Sequence, residues 1–183
     1  MSQEEFACWV EKRGTEPHRY ELLNGRVVMT PPAGYPHGEI EATLVALLRQ
    51  HVAAGKLGKV FGSRQGFDLP SGDTVASDAS FVSNERWASA PPPEPGKFLE
   101  VVPDLMVEIL STSTASRDRG EKKAIYAQNG VREYWLVDPR ACEVLVLTLE
   151  GARYGEPMIF AVQARVESRA LPGLEIEVGE IFP

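Results

Sequence analysis

Regularly spaced apolar residues predict the elements of the first third of the chain. Residues 3–12 favour a short helix with Phe6 and Val10 on its apolar side. Residues 20–29 carry an Asn-Gly pair between two apolar runs, which is the strongest short signal of a β-hairpin. Residues 36–54 repeat apolar side chains every three or four positions, so they predict a long amphipathic helix.

Two nearly uninterrupted apolar runs, 104–110 and 134–137, predict buried strands in the second half of the chain. The segment 113–129 between them has helical spacing, so together they predict a right-handed parallel βαβ unit. The proline-rich residues 90–97 predict a loop. Shorter apolar runs predict further strands within 59–69, 74–82, 144–149, 159–162 and 172–182. The fold class is therefore α/β in the α+β sense, a mixed sheet flanked by helices.

The length of the chain indicates the number of domains, and its charge limits how it could bind nucleic acid. At 183 residues we expect a single domain over 1–183. The 19 Lys and Arg against 26 Asp and Glu give a net charge of −7, so binding to nucleic acid requires a basic patch, a dimer groove or bound cations. Arg64, Lys97, Arg117, Arg119 and Lys123 could form such a patch.

The cysteines and the apolar runs indicate the cellular compartment of the protein. Cys8 and Cys142 form no CxxC pair, which disfavours a zinc ribbon or a disulfide framework and fits a reducing compartment. No run approaches the ~20 apolar residues of a membrane span. The first residues carry no basic region of a secretory signal. We therefore expect a cytoplasmic protein that does not contact a membrane.

Three charged residues sit where apolar ones are expected. Glu108 and Asp78 interrupt predicted strands, and a buried carboxylate is costly unless it is paired or binds a metal. Lys122 is four residues before Tyr126 and shares its face of the helix. Each residue also has a structural explanation: Glu108 could pair with an arginine, Asp78 could mark an edge or a bulge, and Lys122 could be solvated.

Taken together, these residues suggest a reaction. Carboxylates on adjacent strands can hold Mg²⁺, and a nearby lysine can orient a water or stabilise charge at phosphorus. Signatures of other enzymes are missing from the sequence: it has no Walker A, GxGxxG or GxSxG motif. His18, His37 and His51 show no HExxH or paired-ligand spacing. The pattern favours metal-assisted hydrolysis of phosphodiesters.

A set of motifs then points to a family. In order, they are Tyr-Glu-Leu-Leu-Asn-Gly at 20–25, Pro-His-Gly at 36–38, Asp-Ala-Ser-Phe-Val at 78–82, Pro-Asp-Leu-Met-Val-Glu-Ile-Leu-Ser at 103–111 and Gly-Val-Arg-Glu-Tyr-Trp-Leu-Val-Asp-Pro at 130–139. From about residue 18 to 183 the chain resembles the Uma2 family, formerly DUF820, of the PD-(D/E)xK nuclease superfamily. The resemblance implies a restriction-endonuclease-like core and a DNA substrate.

The resemblance also implies roles for residues. Asp78 and Glu108 match the metal ligands, Glu21 matches an acidic residue that supplements them, and Lys122 matches a lysine moved from the strand to the following helix. His37 matches a frequent family histidine and is a weaker candidate. Two departures, Ser77 and Thr112 in place of prolines, remove no ligand.

The resulting hypothesis is a deoxyribonuclease that uses Mg²⁺ or Mn²⁺ and acts as a homodimer. The alternative is a catalytically silent or partner-dependent module of the same fold that binds nucleic acid or protein. For the enzyme we expect Glu21 and Lys122 to face the same pocket as Asp78 and Glu108. We also expect Lys122→Ala to leave the melting temperature nearly unchanged, and Asp78→Asn to stabilise the metal-free protein by ~1 kcal/mol because carboxylates repel.

Overall fold

The computed structural model describes residues 1–14 and 18–183. Its N-terminal part holds two helices and a hairpin. Helix α1 spans Gln3–Glu11, strands β1 and β2 span Arg19–Leu23 and Arg26–Thr30, and helix α2 spans His37–Gly55. The hairpin turns at Asn24 and Gly25, whose φ angles of 51° and 73° suit the tight turn that Asn-Gly favours.

The middle of the chain supplies short strands and the centre of the large sheet. These elements are β3 (Gly58–Gly62), β4 (Phe67–Asp68), β5 (Thr74–Val75), β6 (Ala79–Ser83), α3 (Asn84–Ser89) and β7 (Leu105–Ile109). The predicted strand 74–82 is therefore divided, because the chain leaves one sheet after β5 and enters another at β6. The predicted loop at 90–97 lies outside any helix or strand.

The remaining elements complete the fold. They are α4 (Ala115–Arg117), a π-helical turn (Asp118–Lys122), α5 (Lys123–Gln128), β8 (Glu133–Asp138), β9 (Glu143–Glu150), β10 (Arg153–Tyr154), β11 (Met158–Ala161), β12 (Arg165–Val166), β13 (Ile176–Glu177) and a 3₁₀ turn (Val178–Glu180). The helix predicted at 113–129 thus contains a π-helical segment, a feature often found at functional sites. Both buried polar side chains of this helix, Asp118 and Lys122, belong to that segment.

The large sheet has seven strands in the order β10-β9-β8-β7-β6-β3, with β11 also paired to β9. Strands β7 and β8 are parallel, while β6 and β7 are antiparallel. A second sheet has the order β2-β1-β5-β4. The predicted mixed sheet, flanked by helices and containing a βαβ unit, is confirmed.

Two apolar cores form on opposite faces of the large sheet. One core joins the apolar face of α2 to Val107 and Trp135. The other joins α5, through Ile125 and Tyr126, to Met106. Since side chains alternate along a strand, Glu108 points to the face that carries Met106, the same face as α5.

Glu133 is a buried carboxylate with a structural task. Its Oε1 accepts hydrogen bonds from Trp135 Nε1 and Ser168 Oγ, both at 2.7 Å. Its Oε2 accepts from the backbone N–H groups of Arg169 and Ala170 at 2.7 and 3.3 Å. Glu133 therefore ties the C-terminal segment to the sheet. Across the residues that the structure describes, no helix is both long and apolar enough to cross a membrane.

Candidate active site

Asp78 lies where the chain passes from the small sheet to the large one. Its Oδ1 accepts a hydrogen bond from Arg19 Nη1 at 2.9 Å, and its Oδ2 accepts one from the backbone N–H of Ile109 at 2.8 Å. His37 Nε2 lies 3.2 Å from the same Oδ2. Burial alone would raise the pKa of Asp78, but the bond from His37 and the charge of Arg19 outweigh it and bring the pKa to about 2. Asp78 is therefore ionised, with the guanidinium of Arg19 and the imidazole of His37 beside it.

Glu108, Lys122 and Glu21 form a buried cluster beside it. Lys122 Nζ lies 2.5 Å from Glu108 Oε1 and 2.8 Å from Glu21 Oε1, and it donates a hydrogen bond to the carbonyl of Ala76 at 3.2 Å. The hydroxyl of Tyr126 donates to Glu108 Oε1 at 2.8 Å. Lys122 is fully buried, so a solvated helix face is excluded for it.

One lysine cannot fully compensate two buried carboxylates. Burial raises the pKa of Glu108 to about 8, against the opposing charge of Lys122. Burial also acts on Glu21, but the charges of Lys122 and Arg19 outweigh it and lower the pKa of Glu21. We conclude that Glu21 is the charged partner of Lys122 and that Glu108 retains a proton to higher pH when no other cation is present.

A groove of about 820 Å³ opens over part of this cluster. Arg19, His37, Asp78 and Glu108 line it, and so does the hydroxyl-bearing segment 111–114. The described lining does not include Glu21 or Lys122, and both are fully buried. The expectation that these two face the pocket is therefore not met: Lys122 contacts Glu108, and Glu21 contacts Lys122.

The structure brings in two residues that sequence reasoning did not assign to the site. Within the described residues, the one group of three or more potential metal ligands consists of His37, Glu41 and Asp78, whose ligand atoms all lie within 4.8 Å of one another. His37 and Glu41 are four residues apart on α2 and so share a face. This four-residue spacing was the signal available in the sequence. The statement that His37 shows no paired-ligand spacing overlooked Glu41. Arg19 could have been suspected because it is two residues from Glu21 on β1 and points to the same side.

The proposed basic patch is only partly assembled. Arg64 lines the groove together with Arg140, which was not predicted. Lys97 lines a different pocket, at the proline-rich loop. Arg117 donates a hydrogen bond to Thr30, and Arg119 pairs with Asp138. Among the described residues, the lining of the groove over Asp78 and Glu108 does not include Lys97, Arg117 or Arg119.

The side chains around Asp78 fit a divalent cation. Carboxylate oxygens are the ligands that Mg²⁺ and Mn²⁺ prefer, and imidazole nitrogen suits first-row transition metals. The guanidinium of Arg19 lies against one oxygen of Asp78, and the imidazole of His37 offers a nitrogen ligand beside the other. In addition, Glu21 Oε2 is buried without a hydrogen-bond partner among the described residues.

Comparisons with known proteins identify a family and a similar fold. The Uma2 family model, described as "Putative restriction endonuclease", matches residues 3–179. The fold is similar to the crystal structure of a "putative nuclease belonging to DUF820" from Anabaena variabilis ATCC 29413, with a TM-score of 0.78 and 19% sequence identity. That likeness covers 99% of this chain and 97% of the other. No curated protein matches the chain.

Proposed function

The chain belongs to the Uma2 family, and from this premise we propose that it is a metal-dependent endonuclease that hydrolyses phosphodiester bonds of DNA. The observation that carries the proposal is the meeting of Asp78 and Glu108 at one groove. The residue after Glu108 donates its backbone N–H to Asp78, so Asp78, just before β6, is held beside Glu108 on β7. Glu21 and Lys122 support Glu108 from below.

In this proposal Asp78 and Glu108 hold Mg²⁺ or Mn²⁺, and Glu21 supplements them through the buried network. The cation, when bound, neutralises charge at phosphorus and activates a water. Lys122 touches Glu108 rather than the groove, so we assign it as a positioning residue: it fixes Glu108 Oε1 and keeps positive charge under the site. This refines its expected role of orienting the water directly.

The groove offers contacts to a phosphate backbone. Arg64 and Arg140 line it, and their charges suit phosphate oxygens. The hydroxyls of Ser111, Ser113 and Thr114 cluster there, with Ser111 Oγ at 3.1 and 3.0 Å from the other two. Hydroxyls of this kind donate hydrogen bonds to phosphate oxygens and so fix the strand over Asp78.

The test is cleavage of plasmid and single-stranded DNA by the purified chain with Mn²⁺, Mg²⁺ or EDTA. We expect cleavage only with metal, and a loss of at least about 10²-fold in Glu108→Gln, the scale for a group that acts at the reacting centre. Glu143→Gln, a half-buried carboxylate on β9, is the matched control. Cleavage in EDTA, or full activity in Glu108→Gln, would contradict the proposal.

One observation favours the alternative of a catalytically silent or partner-dependent binding module. Both oxygens of Asp78 are already engaged by protein donors, Oδ1 by Arg19 and Oδ2 by Ile109 and His37. A site satisfied in this way can be stable without metal. Binding of DNA in EDTA, with no cleavage under any metal, would support the module.

Two further expectations accompany the proposal. We propose that residues 1–183 act as one domain, to be tested by a single cooperative melting transition. We also propose a homodimer, because cutting both strands is simplest with two sites and most homo-oligomers have twofold symmetry. Light scattering during size-exclusion chromatography measures this directly, and a mass near 20.1 kDa, that of one chain, would refute it.

A further inference from the structure

Three potential metal ligands meet on the α2 side of Asp78. His37 and Glu41 project from successive turns of α2, and both line the groove. Their ligand atoms and one oxygen of Asp78 lie within 4.8 Å of one another. Glu108 does not belong to this group, although it lines the same groove.

The spacing fits direct coordination. Two neighbouring ligand atoms of an octahedral cation with bonds of about 2.1 Å lie about 3 Å apart, and opposite ligand atoms about 4.2 Å apart. His37 Nε2 and Asp78 Oδ2 are 3.2 Å apart, close to the distance for neighbouring ligands. Glu41 completes a set whose ligand atoms all lie within 4.8 Å of one another, an upper limit that exceeds the larger value by about 0.6 Å. Only small side-chain movements would be needed to seat an ion.

The two sides of Asp78 differ in what a cation must displace. On the Oδ1 side, Arg19 donates a hydrogen bond at 2.9 Å, and its permanent charge competes with a metal there. On the Oδ2 side, the near neighbour is His37, whose imidazole can itself become a ligand. The bond from the backbone of Ile109 to Oδ2 can remain, because a carboxylate oxygen has a second lone pair.

From this geometry we infer that His37, Glu41 and Asp78 form a divalent cation site of their own, which shares Asp78 with the site proposed at Asp78 and Glu108. The imidazole ligand selects the class of ion: a first-row transition metal such as Mn²⁺ binds here in preference to Mg²⁺ or Ca²⁺, which prefer oxygen ligands alone. This inference concerns cation binding and does not depend on whether the chain cleaves DNA.

The experiment measures Mn²⁺ binding to the full chain without DNA, by isothermal titration calorimetry and by pulsed electron paramagnetic resonance. The wild type is expected to bind two Mn²⁺ per chain, one of which shows magnetic coupling to an imidazole nitrogen. His37→Gln should abolish that coupling. Both His37→Gln and Glu41→Gln should weaken one site by at least tenfold, the loss that follows even when an outer-shell partner is removed.

Controls come from the same helix. His51→Gln and Glu39→Gln change a histidine and a carboxylate of α2 that do not line the groove, and both should retain two sites. A melting curve of each variant checks folding, and Glu41→Gln serves independently if His37→Gln fails to fold. Competition with Mg²⁺ should displace the ion coupled to nitrogen less readily than the other.

The outcomes separate this inference from the proposed nuclease site. If Mn²⁺ shows no coupling to nitrogen, or if His37→Gln and Glu41→Gln bind Mn²⁺ like the wild type, the inference is overturned. If the wild type binds a single Mn²⁺ that His37→Gln removes and Glu108→Gln does not, the inference is supported and the ligand role of Glu108 fails. Two ions, each lost in its own variant, support both sites.

Discussion

Removing the charge of Lys122 should destabilise the protein strongly. Lys122 is fully buried and contacts the buried carboxylates of Glu108 and Glu21 at 2.5 and 2.8 Å. Lys122→Met keeps most of the side-chain volume but leaves both carboxylates without their cation. Removing one partner of a buried ion pair costs about 3–5 kcal/mol. At about 2–4 °C per kcal/mol for a chain of this length, the melting temperature should fall by about 6–20 °C.

This prediction replaces the expectation from sequence that Lys122→Ala leaves the melting temperature nearly unchanged, because that expectation assumed an accessible lysine and Lys122 is fully buried. The assay is chemical and thermal denaturation in EDTA. Lys123→Met is the matched control, since Lys123 is the next residue, is half-buried and forms no ion pair among the described residues. It should change the free energy of unfolding by less than about 0.5 kcal/mol.

The loss should also depend on pH. Without Lys122, burial raises the pKa of both carboxyls in the folded state, so the unfolded chain ionises at lower pH than the folded one. The variant therefore loses stability as the pH rises above about 4.5, the ordinary pKa of glutamate, and its deficit should be larger at pH 8 than at pH 5. If Lys122→Met is as stable as Lys123→Met, or if its deficit is the same at both pH values, the buried ion pair does not exist as described.

Three further outcomes follow from the same network. In EDTA, wild-type stability should fall as the pH rises from 4.5 towards 8, because the pKa of Glu108 is raised to about 8, and Glu108→Gln should flatten this profile in pH-dependent melting curves. Asp78→Asn should lower the free energy of unfolding by about 2 kcal/mol at pH 7 in urea titrations, because a pKa lowered from 3.8 to about 2 stabilises the fold above pH 4. This prediction replaces the gain of ~1 kcal/mol expected from sequence. A variant more stable than the wild type would show that repulsion between carboxylates dominates instead. Glu133→Gln should destabilise by about 1–3 kcal/mol, because it weakens the anchor of 168–170, while Mn²⁺ titrations remain unchanged; altered Mn²⁺ binding would contradict a purely structural role.

Much of the fold could be predicted from local patterns. The Asn24-Gly25 turn, the apolar face of α2 and the two buried runs now seen as β7 and β8 each depend on residues near one another in sequence. The apolar runs placed Glu108 and Asp78 in predicted strands; Glu108 lies on β7, whereas Asp78 lies just before β6, and both line one groove. These features need no knowledge of distant contacts.

The partners of the charged residues could not be predicted in the same way. Arg19 meets Asp78 from 59 residues away. Lys122 meets Glu21 where the hairpin packs against the π-helical turn, to which Asn24 and Arg26 also bond through Glu121. The π-helical turn at Asp118–Lys122, which carries Lys122 inward, leaves no recognisable mark in the spacing of apolar residues. Long-range packing decides these contacts, so a pattern read along the chain identified the residues but not their pairings.

These pairings answer the objection raised by the net charge of −7. The site contains the carboxyl groups of Glu21, Asp78 and Glu108, and each lies against a cationic side chain: Lys122 contacts Glu21 and Glu108, and Arg19 contacts Asp78. The groove floor is therefore less negative than its carboxyl groups alone would make it. Each divalent cation bound there would add two positive charges at the position that a phosphate must approach. Within the ~10 Å screening length, this local charge has more influence on phosphate binding than the net charge of the chain. On this account cation binding and DNA binding are thermodynamically linked, so each strengthens the other.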